Sequence, residues 1–137
     1  VLKIPPLRED LMVQQQIEGA WQHMVAVICL NQTYRKQVKE ILPQLFHIWP
    51  TPEKMAQAPL NRLQRLIKPL GMWRVRSRRI KQMSNEFLNW DGKDAAELYG
   101  IGRYGSDSYK IFFKKEYNIR VTDKELKKYL KQKKKAA

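Results

Sequence analysis

Gly100 and Gly102 are separated by one residue and followed at once by Arg103, a spacing suited to holding an anion. Glycines so placed let a backbone turn tightly and bring amide N–H groups to the surface with no side chain in front of them. A helix opening at Arg103 adds the positive end of its dipole. The stretch Leu98-Tyr99-Gly100-Ile101-Gly102 therefore suits a phosphate without reading any base. The same pattern also serves an ordinary tight loop. Further on, Asp123 precedes Lys124-Glu125-Leu126. A carboxylate there can act as a base or electrostatic stabiliser, or it can simply cap a helix, with Thr122 and Glu125 forming a competing capping box. Asp107 is expected to cap or brace the helix after the glycine turn. It follows Gly105 too closely to share a site with Asp123. Cys29 is the single cysteine, which excludes an internal disulfide and a cysteine-held metal or iron–sulfur site within the chain. His23 and His47 are too far apart to suggest a metal centre and read as surface or partly buried histidines. Neither a cofactor nor a metal is expected.

The elements that must position these residues are helical throughout. Residues 1–9, with Pro5-Pro6, form an extended lead-in. From Leu11 onward the pattern turns helical, and Trp21 to Leu30 is apolar almost all round, as a helix central to a core would be. It stops near Asn31. Arg35 to Trp49 resumes the period, with Pro43 suggesting that the helix begins just before that residue. Thr51-Pro52-Glu53 is a helix start, a hydroxyl cap followed by proline at the first helical position. Leu60, Leu63, Leu66 and Ile67 mark an amphipathic helix ended by Pro69 and Gly71. A long helix from Trp73 to Trp90 carries Arg74, Arg76, Arg78, Arg79 and Lys81 on its outer faces. That basic run is either solvated or in contact with phosphate. Asp94–Leu98 reads as a short helix, Arg103–Tyr117 as a longer one, and Asp123–Lys135 as a lysine-rich helix with a fraying basic tail over 130–137. No strand alternation persists, so the class is all-α.

Composition limits the partners. Lys and Arg number 27 against 13 acids, a formal charge of +14 on 137 residues. That imbalance favours a polyanion, with nucleic acid ahead of an acidic membrane. No apolar run approaches the length that spans a bilayer, and the basic segments lack a strong apolar face beside them. The length fits a single domain over 1–137.

Four blocks, in order, resemble the helix–hairpin–helix DNA glycosylases. They are Cys29-Leu30-Asn31-Gln32-Thr33, Leu66–Met72, Leu98–Tyr109 with the hairpin turn at 98–104, and Val121–Leu126. They look most like the thymine glycosylase branch associated with methyl-CpG-binding domains. The resemblance covers roughly Leu11 to Tyr129. It implies a compact multi-helix fold whose active-site cleft lies between two helical subdomains, here without an iron–sulfur cluster.

The roles that follow are what this resemblance implies. Asp123, nineteen residues past Tyr104, matches the essential aspartate, which stabilises positive charge on the sugar as a pyrimidine leaves and positions the attacking water. Tyr104 occupies the slot where bifunctional members carry a sugar-attacking lysine. A phenol cannot form a Schiff base, so no lyase step is expected, and Tyr104 contacts the extruded base instead. Gln14 supplies base contacts, with Gln15 and Gln16 as competitors. Leu70 and Met72 flank Gly71 and push into the base stack, while Gln32 fills the gap left by the flipped nucleotide. Gly100, Gly102, Arg103 and Lys124 hold the DNA backbone. Two departures stand out: Gln32 where the nearest branch has arginine, and Glu125 where it has a basic residue. A nearby acid could repel phosphate, with Lys124, Lys127 and Lys128 offsetting it.

The expected activity is excision of thymine or uracil opposite guanine from double-stranded DNA, in base excision repair. The expected protein is a nuclear monomer, with Lys127–Lys135 as a weak localisation signal. Two alternatives share the same charge: a helix–hairpin–helix module that binds DNA without catalysis, and a basic structural protein of ribosome or chromatin.

Overall fold

In the computed structural model, which describes residues 4–136, all regular structure is helical. The α-helices are α1 (Gly19–Leu30), α2 (Arg35–Ile48), α3 (Pro52–Ala56), α4 (Leu60–Ile67), α5 (Trp73–Phe87), α6 (Arg103–Phe112) and α7 (Lys124–Ala136). Short 3-10 turns occupy Val13–Gln15, Lys68–Leu70 and Ala95–Glu97. Among the described residues there is no strand. Parts of the lead-in and tail, residues 1–3 and 137, lie outside the described residues.

Helix α1 is the centre of the molecule. Met24, Val25, Ala26 and Cys29 are wholly buried, and α1 packs against α2, α5 and α6. Its near-uniform apolar character is what burial on all sides requires. The side chain of Trp21 donates from Nε1 to Ser84 Oγ on α5 at 2.9 Å, which satisfies the indole inside the core. Glycine brings α6 close to α1. A Cβ on Gly105 would meet Ile101 Cγ2 at 2.9 Å and Val27 Cγ2 at 3.1 Å. Ile111 of α6, Val121, and Leu126 and Leu130 of α7 form a second, smaller apolar cluster. Tyr104 packs against both clusters, at the junction between them.

Several local expectations are corrected. The chain is not helical from Leu11: it makes the 13–15 turn, then Gly19 at φ +76° opens α1. Pro43 does not mark a helix start, because α2 runs straight through it. Proline offers no N–H to the carbonyl of Lys39 four residues earlier, and the Leu7 amide of the lead-in takes that carbonyl instead, at 2.9 Å. Lys39 Nζ in turn donates to the Glu9 carbonyl at 3.0 Å, so the lead-in is strapped to α2. Helix α6 ends at Phe112, short of Tyr117. There Lys115 adopts φ +58° and the Glu116 amide reaches back to the Lys110 carbonyl at 3.0 Å. Helix α7 extends to Ala136.

Candidate active site

Asp123 stands at the head of α7, where its carbonyl accepts the Lys127 amide at 3.0 Å. Its Oδ2 takes the amides of Glu125 and Leu126, each at 3.0 Å, so the side chain is the N-cap and the Thr122–Glu125 box is not used. These bonds fix the carboxylate against the first turn of the helix. No donor among the described residues is bonded to Oδ1. The side chain is half-buried rather than turned to bulk solvent.

Tyr104 lies on the first turn of α6. Burial pushes its phenol pKa up to about 12, the Gln14 hydrogen bond pulls against this, and the carboxylate of Asp123 raises it further. The two candidate residues therefore share one electrostatic environment, and the phenol is neutral at neutral pH. Gln14 donates from Nε2 to the Tyr104 hydroxyl at 2.7 Å and to Ser108 Oγ at 3.3 Å. Its neighbours are committed elsewhere. Gln15 Oε1 accepts the Met12 amide, and Gln16 binds the backbone of Arg8 and Leu11. Of the three glutamines, Gln14 is the one brought to Tyr104.

Glu125 is paired by an arginine. Arg35 of α2 lies 3.4 Å from its carboxylate, so the offsetting charge comes from another helix rather than from the α7 lysines. A hollow of about 230 Å³ beside this pair is bounded by Asp10, Met12, Arg35, Glu125 and Tyr129. Tyr104 itself fronts a separate hollow of about 250 Å³ together with Asn31, Gly100, Gly102 and Arg103.

The hairpin turn closes through the Ile101 amide on the Leu98 carbonyl at 3.1 Å. Gly100 sits at φ +82°, and a Cβ there would press on Arg79 Cβ at 3.0 Å. Gly102 caps α6 with open space beside it, so its backbone is free to meet a ligand. Arg103 is braced by Asp107 at 3.5 Å and donates to the Arg120 carbonyl at 3.3 Å, which ties the hairpin to the segment leading into Asp123. Lys124 is exposed on the first turn of α7.

Two loops carry the remaining candidates. Gln32 is exposed at φ +56° and Met72 is 53% exposed at φ +45°, both in the left-handed region that side chains rarely adopt. Strain of that kind, about 1 kcal/mol or more per residue, gathers at sites that must present a group outward. Leu70 departs from expectation. It is only 5% exposed and belongs to the core, so it anchors the loop and leaves Met72 to project.

Arg76 is the residue that sequence reasoning misplaced. It is 3% exposed, not on an outer face. Its guanidinium donates to the carbonyls of Ile28 at 2.8 Å, Cys29 at 3.1 Å and Asn31 at 2.5 Å, and to Gly71 at 3.0 Å. One side chain thus caps α1 and ties together the loops bearing Gln32 and Met72. An arginine three residues after an exposed methionine gives no local sign of this. His23 is wholly buried as well, contrary to its reading as a surface or partly buried group. Burial holds the Cys29 thiol at about 12, where it is inert. Among the described residues no three His, Cys, Asp or Glu side chains gather as a metal site would need.

Residues 25–136 match the family model described as HhH-GPD superfamily base excision DNA repair protein. The chain belongs to that superfamily. It is 27% identical over 110 residues to a methyl-CpG-binding domain protein 4-like protein of Arabidopsis thaliana, covering 80% of this chain and 25% of that one. It is 32% identical over 93 residues to a thymine/uracil-DNA glycosylase of Pyrobaculum aerophilum, covering 63% and 40%. The chain thus spans between a quarter and two fifths of the length of these relatives. Its fold resembles a solved thermostable thymine-DNA glycosylase, with a TM-score of 0.70 at 18% identity over 80% of this chain and 54% of that one. Gly100, Gly102 and Tyr104 line one hollow, and Asp123 is not among its lining residues. No helix among the described residues is long and apolar enough to cross a membrane.

Proposed function

We propose that this chain is the catalytic domain of a monofunctional DNA N-glycosylase that everts thymine or uracil opposite guanine and hydrolyses its glycosidic bond. The observation that carries the reading is Asp123. Its carboxylate is held by two amides through one oxygen, half-buried, and close enough to raise the phenol of Tyr104. In the reaction the C1′–N1 bond breaks with its electron pair leaving on the base, and positive charge develops on the sugar. The Asp123 carboxylate stabilises that charge and orients the water whose oxygen then bonds to C1′, while the water's proton passes to the carboxylate or solvent.

Tyr104 and Gln14 hold the extruded base. A phenol has no amine to offer C1′ in either protonation state, which supports hydrolysis without a lyase step. Met72 and Gln32 fill the vacated stack from the two loops that Arg76 joins, and Gly100, Gly102, Arg103 and Lys124 grip the strand. The relative from Pyrobaculum aerophilum is named a thymine/uracil-DNA glycosylase, which supports the general class of activity. With this reading go a single domain over 1–137, a monomer on DNA and a nuclear location. Sedimentation on a mismatch duplex and a fluorescent fusion test the last two.

One observation favours a second reading. Both amides on Asp123 Oδ2 are what a plain helix cap would show, and a DNA-binding module without catalysis needs no more. Single-turnover incubation with G·T, G·U and matched duplexes, followed by alkali, separates the two. Alkali-dependent breaks at the mismatched pyrimidine are expected. Tight binding with no abasic product would leave only the binding module, and breaks without alkali would refute the role given to Tyr104.

A further inference from the structure

The chemistry above leaves His23 idle although it is wholly buried. Its Nε2 lies 2.8 Å from Ser108 Oγ, and its Nδ1 is a buried side-chain atom with no partner among the described residues. Phe112 and Phe113 pack on the ring at 5.7 and 5.1 Å between centroids. Burial pushes its pKa down to about 4, so the ring is neutral at neutral pH, with one donor and one acceptor nitrogen. An imidazole with an orphaned nitrogen in an aromatic nest is costly, and a leucine would fill the space without that cost.

From Ser108 the polar chain runs outward. Gln14 Nε2 reaches both Ser108 Oγ and the Tyr104 hydroxyl, which engages both of its N–H groups. Ser108 has a single proton. In the tautomer protonated at Nδ1, His23 Nε2 is an acceptor 2.8 Å away and takes that proton, which leaves the Ser108 oxygen to accept from Gln14. Gln14 Oε1 accepts no hydrogen bond among the described residues. The order of protons is thus set from the buried end. While His23 presents an acceptor, Ser108 must donate to it, and Gln14 must turn nitrogen inward and oxygen outward. A ring donating from Nε2 would free the Ser108 proton for the Gln14 oxygen, and the amide would turn over.

We infer that His23, acting through Ser108, is a positioning residue that locks the Gln14 amide with its oxygen toward the extruded base, so that the site selects pyrimidines carrying a hydrogen at N3. The inference rests on the reading of Gln14 and Tyr104 as the base pocket. Uracil and thymine have that N3–H, and cytosine has a lone pair there. An acceptor facing a lone pair loses a bond and strands two desolvated groups, which discriminates far better than a missing apolar contact.

The test uses His23→Leu and Ser108→Ala, both checked for cooperative melting. Each is bound to duplexes carrying 2′-fluoroarabino uridine or cytidine, which resist cleavage, opposite an abasic analogue so that neither base has a pairing partner. A duplex with no base at the flipped position is the reference. The wild-type chain is expected to prefer uracil by about tenfold or more, and each variant to cut that preference below about threefold while reference binding stays within about twofold. If one variant fails to fold, the other carries the test. A preference retained in the folded variants, absent from the wild type, or lost together with reference binding overturns the inference. Because the readout is binding, a chain that selects uracil but never releases it would sink the catalytic reading alone.

Discussion

Gln14 Nε2 donates to the Tyr104 hydroxyl across 2.7 Å, joining two residues ninety positions apart in the sequence. The bond links the 13–15 turn, held by the strapped lead-in, to the first turn of α6. Gln14→Ala leaves the phenol and Ser108 without this donor. It should lower stability by roughly 1–3 kcal/mol and slow uracil release by about ten- to a hundredfold. Melting and single-turnover rates check both numbers. An unchanged rate in a folded variant would remove Gln14 from the pocket.

Tyr104 should be the switch between hydrolysis and lyase chemistry. Tyr104→Lys places an amine in a largely buried position beside Asp123, where desolvation keeps part of it neutral and nucleophilic. Borohydride should then trap a covalent complex with mismatch DNA, and none is expected with the wild-type chain. Failure to trap any complex while uracil is still released would mean that residue 104 does not face C1′.

Arg76 couples the two loops that carry Gln32 and Met72. Arg76→Met strands four backbone carbonyls and should destabilise the domain by about 3–5 kcal/mol, with Arg76→Lys intermediate. Urea unfolding measures this. A loss below about 1 kcal/mol, typical of surface substitutions, would contradict the clamp.

The neutral burial of His23 gives a pH signature. Its folded pKa is depressed to about 4 from an unfolded value of 6.5, so below pH 6.5 the unfolded chain takes up a proton that the folded chain refuses. The contribution is fully present above pH 6.5 and is lost as pH falls through 4, roughly 3 kcal/mol in all. The difference in stability between wild type and His23→Leu should change by about that amount across the window. A flat difference would mean that the ring is not buried neutral.

How much of this was legible in the sequence depends on whether the cause was local. The glycine hairpin, the all-helical class and the cap at Asp123 are written in neighbouring residues, and those elements stand where the pattern puts them. Helix α2 crosses Pro43 because Leu7, from the far side of the chain, supplies the missing donor, and no window around residue 43 contains that fact. Arg76 is buried because the carbonyls of Ile28, Cys29 and Asn31, at the end of α1 and just beyond it, converge on it with that of Gly71. Leu70 and Met72 look alike as apolar neighbours of Gly71, and only the packing decides that the first turns in and the second out. The choice of Gln14 over Gln15 and Gln16 depends on the fold bringing α6 to the 13–15 turn.

Asp123→Asn tests the central claim most directly. Asparagine caps a helix about as well as aspartate, and its side-chain oxygen can take the same two amides, so the fold and the DNA grip should survive. What is lost is the negative charge that the proposed mechanism sets against C1′. Single-turnover release of uracil from a G·U duplex should fall by at least about a thousandfold while the Kd for that duplex changes by less than about threefold. Release within about tenfold of wild type would show that the carboxylate is only a cap and that the chemistry, if any, lies elsewhere.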